Sequence, residues 1–172
     1  MAAAVVWMAA TGSGAAQTFP SAAERSFVEL RAAVPHADAS ASQRIELQWI
    51  TPVTAERTAV RAEDVRIVSR VRGEGPLPQE RDPQLSPDRL VVVSSDAAGR
   101  ELDWRTVPDP RLIRGETADA QGRITSRRLL RAEANLLVDI PDRADIVLLR
   151  VYAPEWVNDA YVLRLVATAD LR

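Results

Sequence analysis

The chain contains 172 residues, the length of one typical domain. Its 22 basic and 24 acidic residues leave a net charge of −2, which argues against a nucleic-acid binder that works by charge. It has no cysteine and one histidine, His36, so disulfides, thiolate metal sites and sites that need two histidines are excluded. All the basic residues are arginine, which we attribute to a GC-rich genome rather than to selection for anion binding.

Residues 1–16 have the pattern of a secretory signal. The apolar stretch MAAAVVWMAA is followed by the small residues TGSGAA, which put Gly14 and Ala16 at the recognition positions for cleavage after Ala16. No basic residue precedes the apolar stretch, so a disordered alanine-rich tail is the alternative. We expect export to the periplasm or the extracellular space and one mature domain, 17–172. Since no run of 18 apolar residues occurs, no integral membrane span is expected.

Alternation of apolar and polar residues, typical of half-buried strands, recurs along the mature chain. Residues 26–34 fit a first strand, with a helix over 22–33 as the alternative. Residues 73–88 contain four prolines and are predicted to form a long loop. Further strands are predicted at 44–51, 64–72, 89–95, 101–107, 112–117, from 124 onward, 130–140, 145–152 and 161–168.

Two similar sequences, DAAGR at 96–100 and DAQGR at 119–123, are typical of hairpin turns, because Asp opens turns and Gly accepts a positive φ. Calcium binding is disfavoured there, since each loop offers one carboxylate. On the return strand 101–107, alternation puts Leu102 and Trp104 on one face, so we expect the Trp104 indole between two sheets.

Seven to nine strands joined mainly by turns predict an all-β fold, an antiparallel β-sandwich, with a barrel as the alternative. By architectural analogy we favour an immunoglobulin-like or fibronectin-like sandwich.

Motifs of catalysis are missing from the sequence. His36 lies in a polar loop with no nucleophile motif and is interpreted as a solvated residue. Asp139, Asp142 and Asp145 follow each other at a spacing of three around a turn and are a weak calcium candidate. Turn chemistry with Arg143 as the counter-ion is the alternative. We therefore assign no catalytic residue and no cofactor.

Two segments are candidate contact surfaces. Prolines stiffen residues 107–116, where the guanidinium forks of Arg111 and Arg114 are suited to holding a carboxylate. Glu116 follows them, and internal ion pairs of these side chains are the alternative. Trp156 is predicted in a loop, either as an exposed contact residue or as a plug over one end of the sandwich.

These features predict an exported, non-enzymatic β-sandwich that binds a protein, a peptide or a glycan, or acts as an accessory subunit. The alternative is an exported hydrolase that works through carboxylates, which needs two acids converging in a concave site. No nucleic-acid partner is expected, because the basic and aromatic residues do not form a stacking platform.

Overall fold

The structure is a computed structural model that describes residues 24–36, 39–50, 65–73, 75–77, 80 and 83–172. The predicted signal segment, 1–16, lies outside these residues. The described chain is all-β, with antiparallel sheets and one short helix. Its elements are β1 Glu24–Ser26, α1 Phe27–Ala33, β2 Ser42–Ile50, β3 Val65–Gly73, β4 Arg89–Ser95, β5 Glu101–Pro108, β6 Leu112–Ala118, β7 Ile124–Leu130, β8 Glu133–Pro141, β9 Leu148–Val157 and β10 Ala160–Asp170.

The first predicted strand is wrong over most of its length. Residues 27–33 form the helix α1, as the alternative interpretation held, because Phe27, Leu30 and Val34 recur at helical spacing and bury one side. Ten strands are described, more than the seven to nine expected, and β1 with its three residues is too short for alternation to reveal. No described helix is long and apolar enough to cross a membrane.

The strands pair into three antiparallel sheets. A five-stranded sheet has the order β1-β10-β9-β4-β5, and a three-stranded sheet has the order β3-β2-β8. Strands β6 and β7 pair with each other and with no other described strand, so residues 112–130 form a separate two-stranded hairpin, here called the arm.

The two larger sheets share one core. On β2 the predicted inward residues Ile45, Leu47 and Trp49 are fully buried. The neighbouring strand β8 contributes Leu136, Val138 and Ile140, and the facing five-stranded sheet contributes Leu90, Val92, Leu149, Val151, Ala167 and Ala169. Because both sheets supply one apolar face to this cluster, they pack face to face, and burial of these side chains is the main stabilising contribution.

A second core lies on the opposite face of the five-stranded sheet, where α1 covers it. Trp104 is 3% exposed there, its indole Nε1 donates to the Val34 carbonyl at 3.0 Å, and Phe27 meets its ring edge-on at 5.3 Å. The expectation that Trp104 packs between the two sheets is therefore wrong. The reason is a β-bulge at Leu102, which directs Leu102 to the first core and Trp104 to the second.

The two similar turn sequences form two turns of the same geometry, which confirms that prediction. In each, the Asp carboxylate accepts the backbone N–H groups two and four residues later, at 3.0 and 2.9 Å for Asp96 and at 2.9 Å twice for Asp119. These bonds, above all the one from the residue four positions on, lower the pKa of both carboxyls. Gly99 and Gly122 supply φ values of +81° and +75°.

The proline-rich segment 73–88 has no helix or strand in its described part after Gly73. This segment covers the outer edge of β5, the last strand of the five-stranded sheet. The Glu80 carboxylate accepts the Thr106 N–H at 3.2 Å and its hydroxyl at 2.8 Å, and Leu85 packs against the second core. A carboxylate bound to an edge amide shields that edge from pairing with another chain.

Trp104→Ala is expected to lower the free energy of unfolding by about 3–5 kcal/mol, because it empties an aromatic site under α1 and orphans the Val34 carbonyl. Urea denaturation followed by circular dichroism measures this. A midpoint unchanged from the parent chain would show that α1 does not pack on this face of the sheet.

Candidate functional site

Strand register brings the predicted contact segments to one end of the fold. Strand β4 begins and strand β5 ends at this end of the fold, where Arg89 lies opposite Pro108. The arm leaves the body just after Pro108. Strand β9 pairs with β4 only as far as Tyr152, so the tip of the β9–β10 hairpin continues beyond β4 at this same end. We call this region the arm end.

Trp156 lies in strand β9, and its prediction as a loop residue is wrong. Pro154 suggested a break, but it lies beyond the last residue that pairs with β4. There one edge of β9 has no partner among the described strands, and a missing N–H is tolerated. The hairpin closes through Asn158 and Asp159, whose φ values of +49° and +61° are typical of a two-residue type I′ turn. This Asn-Asp pair between two apolar runs is a sequence signal that predicts the hairpin.

The Trp156 side chain is an exposed aromatic on a rigid support. Its cross-strand partner is Tyr161, with the ring centroids 4.8 Å apart and an interplanar angle of 75°. Tyr161 in turn packs against the second core. Trp156 is 58% exposed, so much of its indole is free to contact a partner while its edge-to-face pairing fixes its position.

Arg111 is buried at the base of the arm and its guanidinium is engaged within the chain. It donates to both carboxylate oxygens of Asp109, at 2.9 and 2.7 Å, and its backbone N–H donates to the same carboxylate at 3.0 Å. Its guanidinium carbon lies 3.9 Å from the centroid of the Trp49 ring, in cation–π contact. Arg111 therefore covers the Trp49 end of the first core.

Arg114 and Glu116 lie further out, on strand β6 of the arm. Both are exposed, and their spacing of two puts them on one face of the hairpin. The Arg114 side chain pairs with Asp88, while Glu116 lies opposite Ser126. The structure thus brings Arg114 and Glu116 together on the arm and separates them from Arg111 at its base.

The three aspartates of the calcium candidate do not converge. Each carboxylate faces a different arginine: Asp139 pairs with Arg44, Asp142 with Arg72 and Asp145 with Arg143. Among the residues that the structure describes, no three His, Cys, Asp or Glu side chains are grouped to hold a metal ion. The hydrogen bond from Arg143 lowers the pKa of Asp145, as expected for a carboxylate in an ion pair.

His36 belongs to a polar cluster that the sequence did not predict, and its interpretation as a solvated residue is wrong. Its Nδ1 lies 3.4 Å from a carboxylate oxygen of Asp103, and its ring lies 4.2 Å from that of Trp104. Asp103 is fully buried and accepts from Arg105 at 2.9 Å. His36 Nε2 is buried and makes no hydrogen bond within the described residues. The cluster ties the chain after α1 to β5.

Comparison with known proteins gives no matching family, no curated relative and no similar solved structure.

Arg111→Met is expected to lower the free energy of unfolding by about 3–5 kcal/mol, because it leaves the Asp109 carboxylate buried without its partner. Arg143→Met is the matched control, since it breaks an ion pair whose side chains are 39% and 43% exposed and should cost about 0–1 kcal/mol.

Chemical denaturation of both variants measures the difference. The double variant Arg111→Met/Asp109→Leu should recover most of the loss, since it removes the orphaned charge as well. Equal losses for the two single variants would show that Arg111 does not seal this end of the core.

Proposed function

We propose that the protein is an exported, non-enzymatic binding module whose partner docks at the arm end through Trp156. The observation that carries the proposal is the exposed indole, held edge-to-face on Tyr161 at the tip of a short-turn hairpin. Tryptophan is enriched among the residues that dominate binding energy, and a rigid hairpin lowers the entropy that binding costs. Export rests on the signal pattern of residues 1–16, and the expected site of action is the periplasm or the extracellular space.

The proposal includes an immunoglobulin-like or fibronectin-like sandwich. The order β10-β9-β4-β5 corresponds to strands G-F-C-C′ of immunoglobulin variable domains, and the neighbours β2 and β8 correspond to B and E. Strand β3 occupies the position beside β2 where strand A would lie, and the characteristic cysteine pair is missing. In this correspondence the β9–β10 turn is the F–G loop and the arm follows C′, so the arm end matches the antigen-binding end.

A protein partner is favoured over a glycan by the aliphatic side chains of the arm, which leaves the body at the same end as Trp156. The arm exposes large aliphatic residues at more than a third of their surface: Ile113, Ile124, Leu129 and Leu130. Aliphatic side chains offer no hydrogen bonds to sugar hydroxyls but contribute apolar area to a protein interface. Exposed apolar residues concentrated in one region are typical of a protein-interaction site.

The alternative function predicted from the sequence is an exported hydrolase that works through carboxylates. Two of the buried acids, Asp103 and Asp109, form ion pairs with Arg105 and Arg111 respectively. Each of these carboxylates is held by a guanidinium of the same chain, whereas a carboxylate-dependent hydrolase needs two acids that converge on a substrate in a concave site. The observations therefore favour binding.

The test is a photo-crosslinking amino acid introduced at Ala160 of the full chain in its native host, because Ala160 is exposed beside the hairpin turn and Trp156 is kept. The matched control carries the same group at Val71, which is 59% exposed on β3 and pairs with Arg44, towards the end of β2 opposite Trp49. A discrete protein adduct from position 160 and none from position 71 is the expected result. Adducts of equal yield from both positions, or none from either, would contradict a partner at the arm end.

Trp156→Ala is expected to weaken retention of that partner by roughly thirtyfold or more, as for a binding residue that contributes at least about 2 kcal/mol. Its melting temperature should stay close to that of the parent chain, because the indole is already largely in water. Trp104→Ala is the comparison variant, because loss of its buried indole is expected to lower the melting temperature strongly. A severe loss of stability in Trp156→Ala would assign it to packing instead of recognition.

A further inference from the structure

Strand β7 is the basic strand of the arm. Residues 124–131 contain Arg127, Arg128 and Arg131 and no acid, which gives +3 and leaves −5 on the rest of a chain whose net charge is −2. Strand β6, in contrast, balances Arg114 with Glu116. The sequence of β7 and the residue after it therefore carries an excess of positive charge.

Among the residues that the structure describes, the outer edge of β7 has no strand partner. The Asp119 N–H donates to the Arg123 carbonyl at 3.0 Å at the turn, and the Arg131 N–H donates to the Arg111 carbonyl at 2.8 Å at the base. Bonded and non-bonded pairs alternate along an antiparallel ladder. Odd-numbered residues therefore bond across the hairpin, and the even-numbered residues of β7, such as Ser126, direct their N–H and C=O groups outward.

The same strand exposes apolar side chains. Ile124 is 69% exposed, Leu130 57% and Leu129 48%. If this edge were adapted only to avoid aggregation, the strand would carry charged, short or polar side chains instead of these large apolar ones. A two-stranded hairpin is also marginally stable alone in water, and a third strand would add both hydrogen bonds and apolar contacts.

We propose that the outer edge of β7 binds an extended acidic segment of a partner protein, which adds a third strand to the arm. Main-chain hydrogen bonds to the even-numbered residues of β7 would give affinity. In the partner segment, acidic side chains would match the arginines, and the aliphatic side chains that alternate with them would match the exposed Ile124 and Leu130. A second copy of this chain is disfavoured as the occupant, because it would oppose +3 to +3. The inference rests on the proposed binding function and names the chemistry of its partner.

The probe is a fluorescein-labelled eight-residue peptide of alternating glutamate and valine, and the control probe is its lysine–valine counterpart. Fluorescence anisotropy with the full chain should show saturable binding of the acidic peptide alone, weakening as salt rises.

Ser126→Pro removes one outward N–H without touching the bonds to β6, and should weaken binding by about tenfold or more. Ala118→Pro makes the matching change on the outer edge of β6 and should leave binding within about twofold.

A charge reversal tests the proposal without relying on proline. Arg131→Glu should weaken binding of the acidic peptide by about tenfold, whereas Arg172→Glu, with the same change of charge at the C-terminus, should weaken it by less than about threefold. Binding that is equal in all four variants, or equal for the two peptides, would overturn strand addition at β7.

Sedimentation velocity gives a further decisive outcome. A concentration-dependent dimer that Ser126→Pro abolishes would make a second copy the occupant and would overturn an acidic partner. If Ser126→Pro retains peptide binding while Trp156→Ala loses the crosslinked partner, the strand-addition inference fails and the proposed function stands. The reverse pattern would leave strand addition standing and contradict docking through Trp156.

Discussion

The arm end depends on the position of Arg111, whose guanidinium lies between the Asp109 carboxylate and the face of Trp49. The indole of Trp49 is the last buried side chain of β2, and the Arg111 guanidinium that covers it is itself paired with Asp109. The Arg111 carbonyl also accepts the first bond across the base of the arm, from Arg131. One residue thus seals the body and fixes the direction in which the arm leaves it. A charge held between a carboxylate and an aromatic ring is costly to move, which makes the base of the arm rigid.

The fold treats its strand edges in two ways. The outer edge of β5 is covered, with the Thr106 amide bound by the Glu80 carboxylate from the proline-rich segment. The arm leaves both of its edges without a strand partner among the described residues, and exposes Ile124 and Leu130 beside them. Proteins usually cover or charge such edges because open ones pair with other chains. The three arginines between 124 and 131 repel a second copy, yet they attract acidic chains, so the charge selects the partner instead of closing the edge.

Much of the strand content was predictable from local patterns. Alternation on β2 identified Ile45, Leu47 and Trp49 as core residues, and the repeated Asp-x-x-Gly turns fixed two hairpins, because in both cases the signal lies within a few neighbouring residues. The arm was predicted as two strands, but the pattern of LIRGETA does not tell a hairpin in solvent from one in a sheet.

What sequence reasoning missed depends on contacts between distant segments or on a single inserted residue. The bulge at Leu102 reversed the face of Trp104, since alternation has no means of showing one extra residue in a strand. The His36–Asp103 and Arg111–Trp49 contacts join residues far apart in the chain, so neither has a local signature. At the candidate site, the exposure of Trp156 was one of two expected outcomes, and its strand was hidden by Pro154, which lies beyond the last β9 residue paired with β4.

Amide hydrogen exchange on β7 is the most direct test of the central claim. That claim is that β6 and β7 are already paired in the free chain, while the outer edge of β7 is open to a third strand. In the free chain, the amides of Thr125 and Leu129 should exchange slowly, because they bond to β6, while those of Ser126 and Leu130 should exchange rapidly into solvent. Addition of the glutamate–valine peptide at saturation should slow exchange at Ser126 and Leu130 and leave Thr125 and Leu129 as they were. Slow exchange at Ser126 and Leu130 in the free chain, or rapid exchange there at peptide saturation, would contradict the account.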